Sequence, residues 1–87
     1  MEALNAQDLT RTLLAARSSD ATVCPSEVAR ALAKAAGTEP AAWLDLMPTV
    51  HAAIDQMLID GDVRLSWKGK PLSTRAGPYR IGRTQRD

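Results

Sequence analysis

Residues 46–60, LMPTVHAAIDQMLID, carry Met47, Val50, Ile54, Met57 and Leu58 at helical spacing, and Gly61 supplies a stop. The chain then alternates at once: Val63, Leu65 and Trp67 fall on one side of a strand, Arg64, Ser66 and Lys68 on the other. A helix running directly into a hairpin is the second half of a winged helix, and the rest of the chain supplies the first half.

Upstream, residues 6–18 read as a helix. Asn5 serves as N-cap and Asp8 lies near the positive end of the helix dipole. Leu9, Leu13 and Ala16 form its stripe, widened by Leu14. Thr22 and Val23 fit a short edge strand. Pro25 opens a second helix with Glu27 in the first turn, and Gly37 ends it. Val28, Ala31, Leu32 and Ala35 make the expected buried face, with Arg30 and Lys34 in solvent. Thr38 to Ala42 is a connector, with Trp43 and Leu44 in a turn of their own. Pro48 is accommodated if Asp45 caps the third helix, so that the proline falls in the first turn; a longer helix kinked at Pro48 is the alternative.

Downstream, Gly69-Lys70-Pro71 breaks the strand, Leu72 to Pro78 form a loop, and Tyr79-Arg80-Ile81 resume alternation. Residues 83–87 are expected to fray, leaving an ordered core of about residues 6–82. The expected fold is mostly α with a small β-hairpin: a single winged helix-turn-helix domain of three helices, a short first strand and a two-stranded wing.

The totals fit one domain. The chain has 87 residues, 45% hydrophobic and 24% charged, enough for one modest core. One cysteine, Cys24, excludes an intrachain disulfide. The N-terminus does not read as a signal peptide and no stretch has the apolar length of a membrane span, so a cytoplasmic location and no membrane partner are expected. The net charge of +1 conceals a segregation. Residues 63–87 hold seven basic residues against one acidic, whereas residues 1–62 hold four against nine. An anionic partner for the basic part is one consequence.

Four separated motifs also resemble a known family: Ala21-Thr22-Val23-Cys24-Pro25-Ser26-Glu27-Val28-Ala29-Arg30-Ala31-Leu32; residues 43–48 with Leu46-Met47-Pro48; Lys68-Gly69-Lys70-Pro71; and Gly77-Pro78-Tyr79-Arg80-Ile81. In this order they resemble the small bacterial domain of unknown function 3253. The resemblance runs from about Leu9 to Ile81. It implies a winged-helix-like fold and no particular activity.

The third helix makes a poor DNA reader. Its outward side presents Asp45, Pro48, Ala52, Asp55, Gln56 and Ile59, with His51 at the flank. Reading base edges in the major groove calls for Arg, Lys, Asn or Gln, and carboxylates repel phosphate. The wing is the better nucleic-acid candidate: Arg64, Lys68 and Arg80 on one strand face, with Lys70 and Arg75 in the loop, can follow a phosphate backbone without reading sequence. The alternative is a protein-interaction or dimerisation module using Leu44, Ala52, Asp55, Gln56 and Ile59 on the outward face of the third helix. Trp43 and Trp67 read as core residues rather than stacking platforms.

Cys24 reads as a small buried residue at a helix start, and nothing places the sole histidine, His51, beside it. One Cys and one His do not make a structural zinc site. Asp55, Asp60 and Asp62 lack the spacing of a calcium loop, and no phosphate-binding glycine loop is present. No cofactor, metal or enzymatic activity is expected.

Overall fold

Asn5 opens the first helix, α1 (Ala6–Ala15), by accepting the Asp8 backbone N–H on its side-chain oxygen at 2.8 Å. The computed structural model describes residues 5–75 and 77–84. Ala6, Leu9, Thr10 and Leu14 form the buried side of α1. The expected stripe overran the helix: Ala16 is its exposed C-cap, and Arg17 N–H turns back to the Leu14 carbonyl. Thr10 is tolerated inside because its hydroxyl donates to the Ala6 carbonyl at 2.7 Å.

Strand β1 (Thr22–Val23) leads into α2 (Pro25–Ala35). Pro25 occupies the first turn, and the Glu27 carboxylate accepts the Cys24 backbone N–H at 3.2 Å. The buried side is Pro25, Val28, Ala29 and Ala33. It is rotated from the expected one: Ala31 and Leu32 are half-buried and Ala35 is exposed. Gly37, at φ +70°, ends the helix, with Gly37 N–H bonded to Lys34 O and Thr38 N–H to Ala33 O.

The expected connector is instead a 3-10 helix, Pro40–Leu46, which passes without a break into α3 (Met47–Ile59). Asp45 therefore lies inside a helical turn and does not cap α3; Leu46 holds that position in helical conformation. Pro48 stands in the first turn, where its missing N–H leaves nothing unpaired. Val50, Ile54 and Met57 are completely buried. Gly61, at φ +77°, stops the helix, with Gly61 N–H on Leu58 O and Asp62 N–H on Met57 O.

The sheet has four antiparallel strands in the order β1-β4-β2-β3, where β2 is Val63–Trp67, β3 is Lys70–Leu72 and β4 is Arg80–Arg83. The expected two-stranded wing thus gains a third strand. Lys68 (φ 51°) and Gly69 (φ 80°) make a two-residue turn, and Trp67 pairs with Lys70 across it. Pro71 is accepted because β3 is an edge strand. Strand β4 lies between β1 and β2, with Val23 opposite Ile81 and Leu65 opposite the same residue. Val23, Leu65, Ile81 and Val63 close over Leu9, Leu14, Val28, Ile54 and Met57 as one core.

Three helices and this small sheet form the winged-helix arrangement, with one more strand than expected. Among the described residues no helix is long and apolar enough to cross a membrane.

Arg83, expected to fray, instead belongs to β4, and residues 85–87 of that expectation lie outside the described residues. The Arg83 guanidinium reaches over α1 and donates to the Leu14 and Arg17 carbonyls. It gives the Arg17 carbonyl a partner and adds a charged donor to the Leu14 carbonyl, which already accepts from Arg17 N–H.

Candidate nucleic-acid interface

The five wing cations fall into two groups. Arg75, in the connection between β3 and β4, donates from Nε and Nη2 to the two carboxylate oxygens of Asp55 on α3, each at 3.0 Å. Arg80 lies opposite Ser66, on the sheet face shared with Arg64, but its guanidinium is turned across β4 to β1. There Nε donates to Thr22 Oγ1 at 2.6 Å and Nη2 to the Thr22 carbonyl at 3.3 Å. These two arginines tie the wing to the body of the domain.

Arg64, Lys68 and Lys70 are exposed, and among the described residues none has an ion pair or a side-chain hydrogen bond. Arg64 lies flat over Gly82, its Cγ and Nε each 3.6 Å from where a Cβ there would stand. Lys68 sits in the tight turn and Lys70 at the start of β3, so both project from the hairpin tip. Lys70 is not in a loop, and Lys68 has left the strand alternation that would have aligned it with Arg64.

Trp67 was expected inside and is instead 38% exposed. It remains on the side of the sheet that holds Val63 and Leu65. However, β2 outruns the helical layer, and Leu65 is the last residue of the strand to be covered. The tip therefore carries a partly exposed indole on a residue paired with Lys70 and next to Lys68 in the chain. Trp43 is half-buried and packs against the core, and the Arg30 guanidinium lies 4.6 Å above its ring.

The outward side of α3 is acidic and mostly engaged. The Arg75 guanidinium beside Asp55 holds its carboxyl below the usual aspartate value. Gln56 donates to Asp60 at 3.0 Å. Ala52 is exposed, as are Leu44 (61%) and Ile59 (78%). Leu44 precedes α3 and Ile59 ends it, so about 20 Å of helix separates them and they form no single patch. Ile59 borders a groove of about 450 Å³ with Leu58, Ser73, Thr74 and the Asp55–Arg75 pair.

Beneath the wing, the His51 Nδ1 and the buried Tyr79 hydroxyl are hydrogen-bonded at 2.7 Å. Burial pushes the His51 pKa down, and the neighbouring Arg75 charge adds to this. Burial pushes the Tyr79 phenol up to about 12. Both groups are thus neutral near pH 7. At the opposite end of the sheet, Arg17 pairs with Glu27, which lowers the Glu27 pKa. Among the described residues no group of three His, Cys, Asp or Glu side chains is placed to hold a metal ion.

The model of a family of proteins of unknown function, DUF3253, matches residues 3–84. The chain belongs to the DUF3253 family. No curated protein matches it. The DUF3253 match spans the three α-helices and four strands of the described residues, so the Lys68-Gly69 turn and the Asp55–Arg75 pair both lie within the family domain.

Proposed function

We propose that this DUF3253 domain binds nucleic acid through the tip of its β2–β3 hairpin, with little sequence selectivity. The observation that carries the reading is the grouping of Lys68, Lys70 and exposed Trp67 on one tight turn, with Arg64 further down the same strand. The cations would contact phosphate oxygens, which gives affinity without sequence information. The indole offers a face for an unpaired base. The acidic outward side of α3 keeps that helix out of the role it plays in groove-reading relatives of the fold. Arg75 and Arg80, drawn to Asp55 and Thr22, contribute less than the tip.

Fluorescence anisotropy with labelled single-stranded and duplex DNA at low salt tests this. Changing Lys68 and Lys70 together to Ala should weaken binding by about tenfold or more, and Trp67→Ala should weaken the single strand more than the duplex. Absence of binding to either DNA at low salt removes the proposal.

A second reading rests on Ile59, a large apolar side chain exposed at the end of α3 beside an amphipathic groove. It makes that end of the helix a protein contact, for a second copy or another protein. Light scattering of the protein and of Ile59→Asp decides for the homodimer: a dimer abolished by the substitution supports it, and a monomer in both removes it.

A further inference from the structure

The cleft between the end of α2 and the 3-10 helix belongs to neither reading. It has a volume of about 480 Å³ and is lined by Arg30, Ala33, Lys34, Gly37, Thr38 and Trp43. That volume lies within the range of small-molecule sites. We infer that it is a binding site for a small aromatic anion.

Three features of the cleft select that class of ligand. First, Arg30 and Lys34 stand one turn apart on α2, both exposed and neither ion-paired among the described residues. No carboxylate is part of the lining; Glu39, the next acid along the chain, is outside it. Two cations on one rim without a counter-charge attract an anion. Second, the Arg30 guanidinium lies over the Trp43 ring, with Cζ 4.6 Å from the centroid. The ring holds the guanidinium in place, and among the described residues its N–H groups have no protein acceptor, so they can grip two oxygens of a carboxylate or phosphate at once. Third, the cleft also offers apolar surface, from the half-buried Trp43 indole and the aliphatic stems of Arg30 and Lys34. An inorganic anion would leave this surface unused, and a neutral ring would leave the charges unused.

The rim is also held in place before any ligand arrives. Gly37, in the left-handed region, ends α2, and nothing lies within 4 Å of where its Cβ would be. Thr38 then fastens to Ala33 O through both its N–H (3.1 Å) and its hydroxyl (3.0 Å). The Gly37 and Thr38 N–H groups are thus engaged within the chain, and recognition of charge falls to Arg30 and Lys34.

Titration followed by ¹H–¹⁵N NMR tests the site on the whole chain, with benzoate and phenyl phosphate as aromatic anions, and benzamide and inorganic phosphate as controls. The expected result is saturable shifts centred on the Trp43 indole N–H, Gly37 and Thr38 with at least one aromatic anion, and affinities for both controls about tenfold or more weaker. The stronger of the two anions identifies the site as one for a carboxylate or for a phosphate ester. Lys34→Ala, which leaves the Arg30–Trp43 contact in place, should cost about tenfold in affinity, and Arg30→Ala at least as much. Absence of saturable shifts at these positions overturns the site. So does benzamide or inorganic phosphate binding as tightly as the aromatic anions, or unchanged affinity in Lys34→Ala.

Discussion

Asp55 of α3 and Arg75 of the β3–β4 connection form a two-pronged ion pair, with both N···O distances at 3.0 Å. The helix that would read DNA in another member of this fold is here bonded to its own wing. The pair takes one cation from the wing surface and one carboxylate from the helix surface, so the net charge of the wing tip rests with Lys68 and Lys70.

Both partners of this pair are partly exposed, so its contribution to stability is small. Arg75→Ala should lower stability by no more than about 1 kcal/mol in urea unfolding. Because the Asp55 carboxyl is held below its ordinary value, its contribution is full above that value and is lost as the pH falls through the lower, folded-state one. The difference between wild type and Arg75→Ala should therefore shrink below about pH 4.

Tyr79 is the only tyrosine, so its ionisation can be followed directly by ultraviolet absorbance. It should titrate near 12, and the stability that comes from keeping the phenol neutral should be full below about pH 10 and be lost as the pH rises through 12. His51 has the opposite sign. Its folded-state value is depressed, so its contribution is full above the ordinary histidine value of about 6.5 and falls as the solution is acidified below it. Tyr79→Phe removes the bond to His51 and should cost about 1 kcal/mol.

Arg83 tests the closure of α1 by the last strand. Its guanidinium bonds two backbone carbonyls, Leu14 O and Arg17 O. Arg83→Ala should destabilise by about 1.5–3 kcal/mol, the range for hydrogen bonds made by a charged group. Truncation before Arg83 should be at least as costly by thermal unfolding. A loss within experimental error in both would show that α1 is closed without it.

The two faces of α3 should separate cleanly in chemical denaturation. Ile54 is fully buried, whereas Ile59, the last residue of α3, is largely exposed two residues before the helix stop Gly61. Ile54→Ala should cost about 2–5 kcal/mol, and Ile59→Ala should change stability by less than about 0.5 kcal/mol.

The helices and the main strand were legible because their signals are local. Asn5, Pro25, Gly37 and Gly61 each act through the nearest backbone groups, and Val50, Ile54 and Met57 repeat at one period. What escaped depends on contacts distant in sequence or on where an element outruns the core. Strand β3 was hidden by Pro71, which an edge strand accepts. The Lys68-Gly69 turn carries a weak local signal because it lacks the Asn or Asp that usually starts one. Trp67 alternates correctly with Leu65, and only the reach of the helical layer decides that one is covered and the other is not. The partners of Arg75, Arg80 and Arg83 lie 20 to 69 residues away. Spacing separates the five wing cations from the acidic front but does not tell which of them are already engaged.

The salt dependence of duplex binding tests the wing-tip proposal most directly. If Lys68 and Lys70 each neutralise one phosphate, the slope of log affinity against log salt should become shallower by about 1.8 when both are changed to Ala, and by about 0.9 for either alone. Arg75→Ala should leave the slope unchanged, because Arg75 is bonded to Asp55. A double variant with the slope and affinity of the wild-type protein would contradict the assignment of nucleic-acid contact to the hairpin tip.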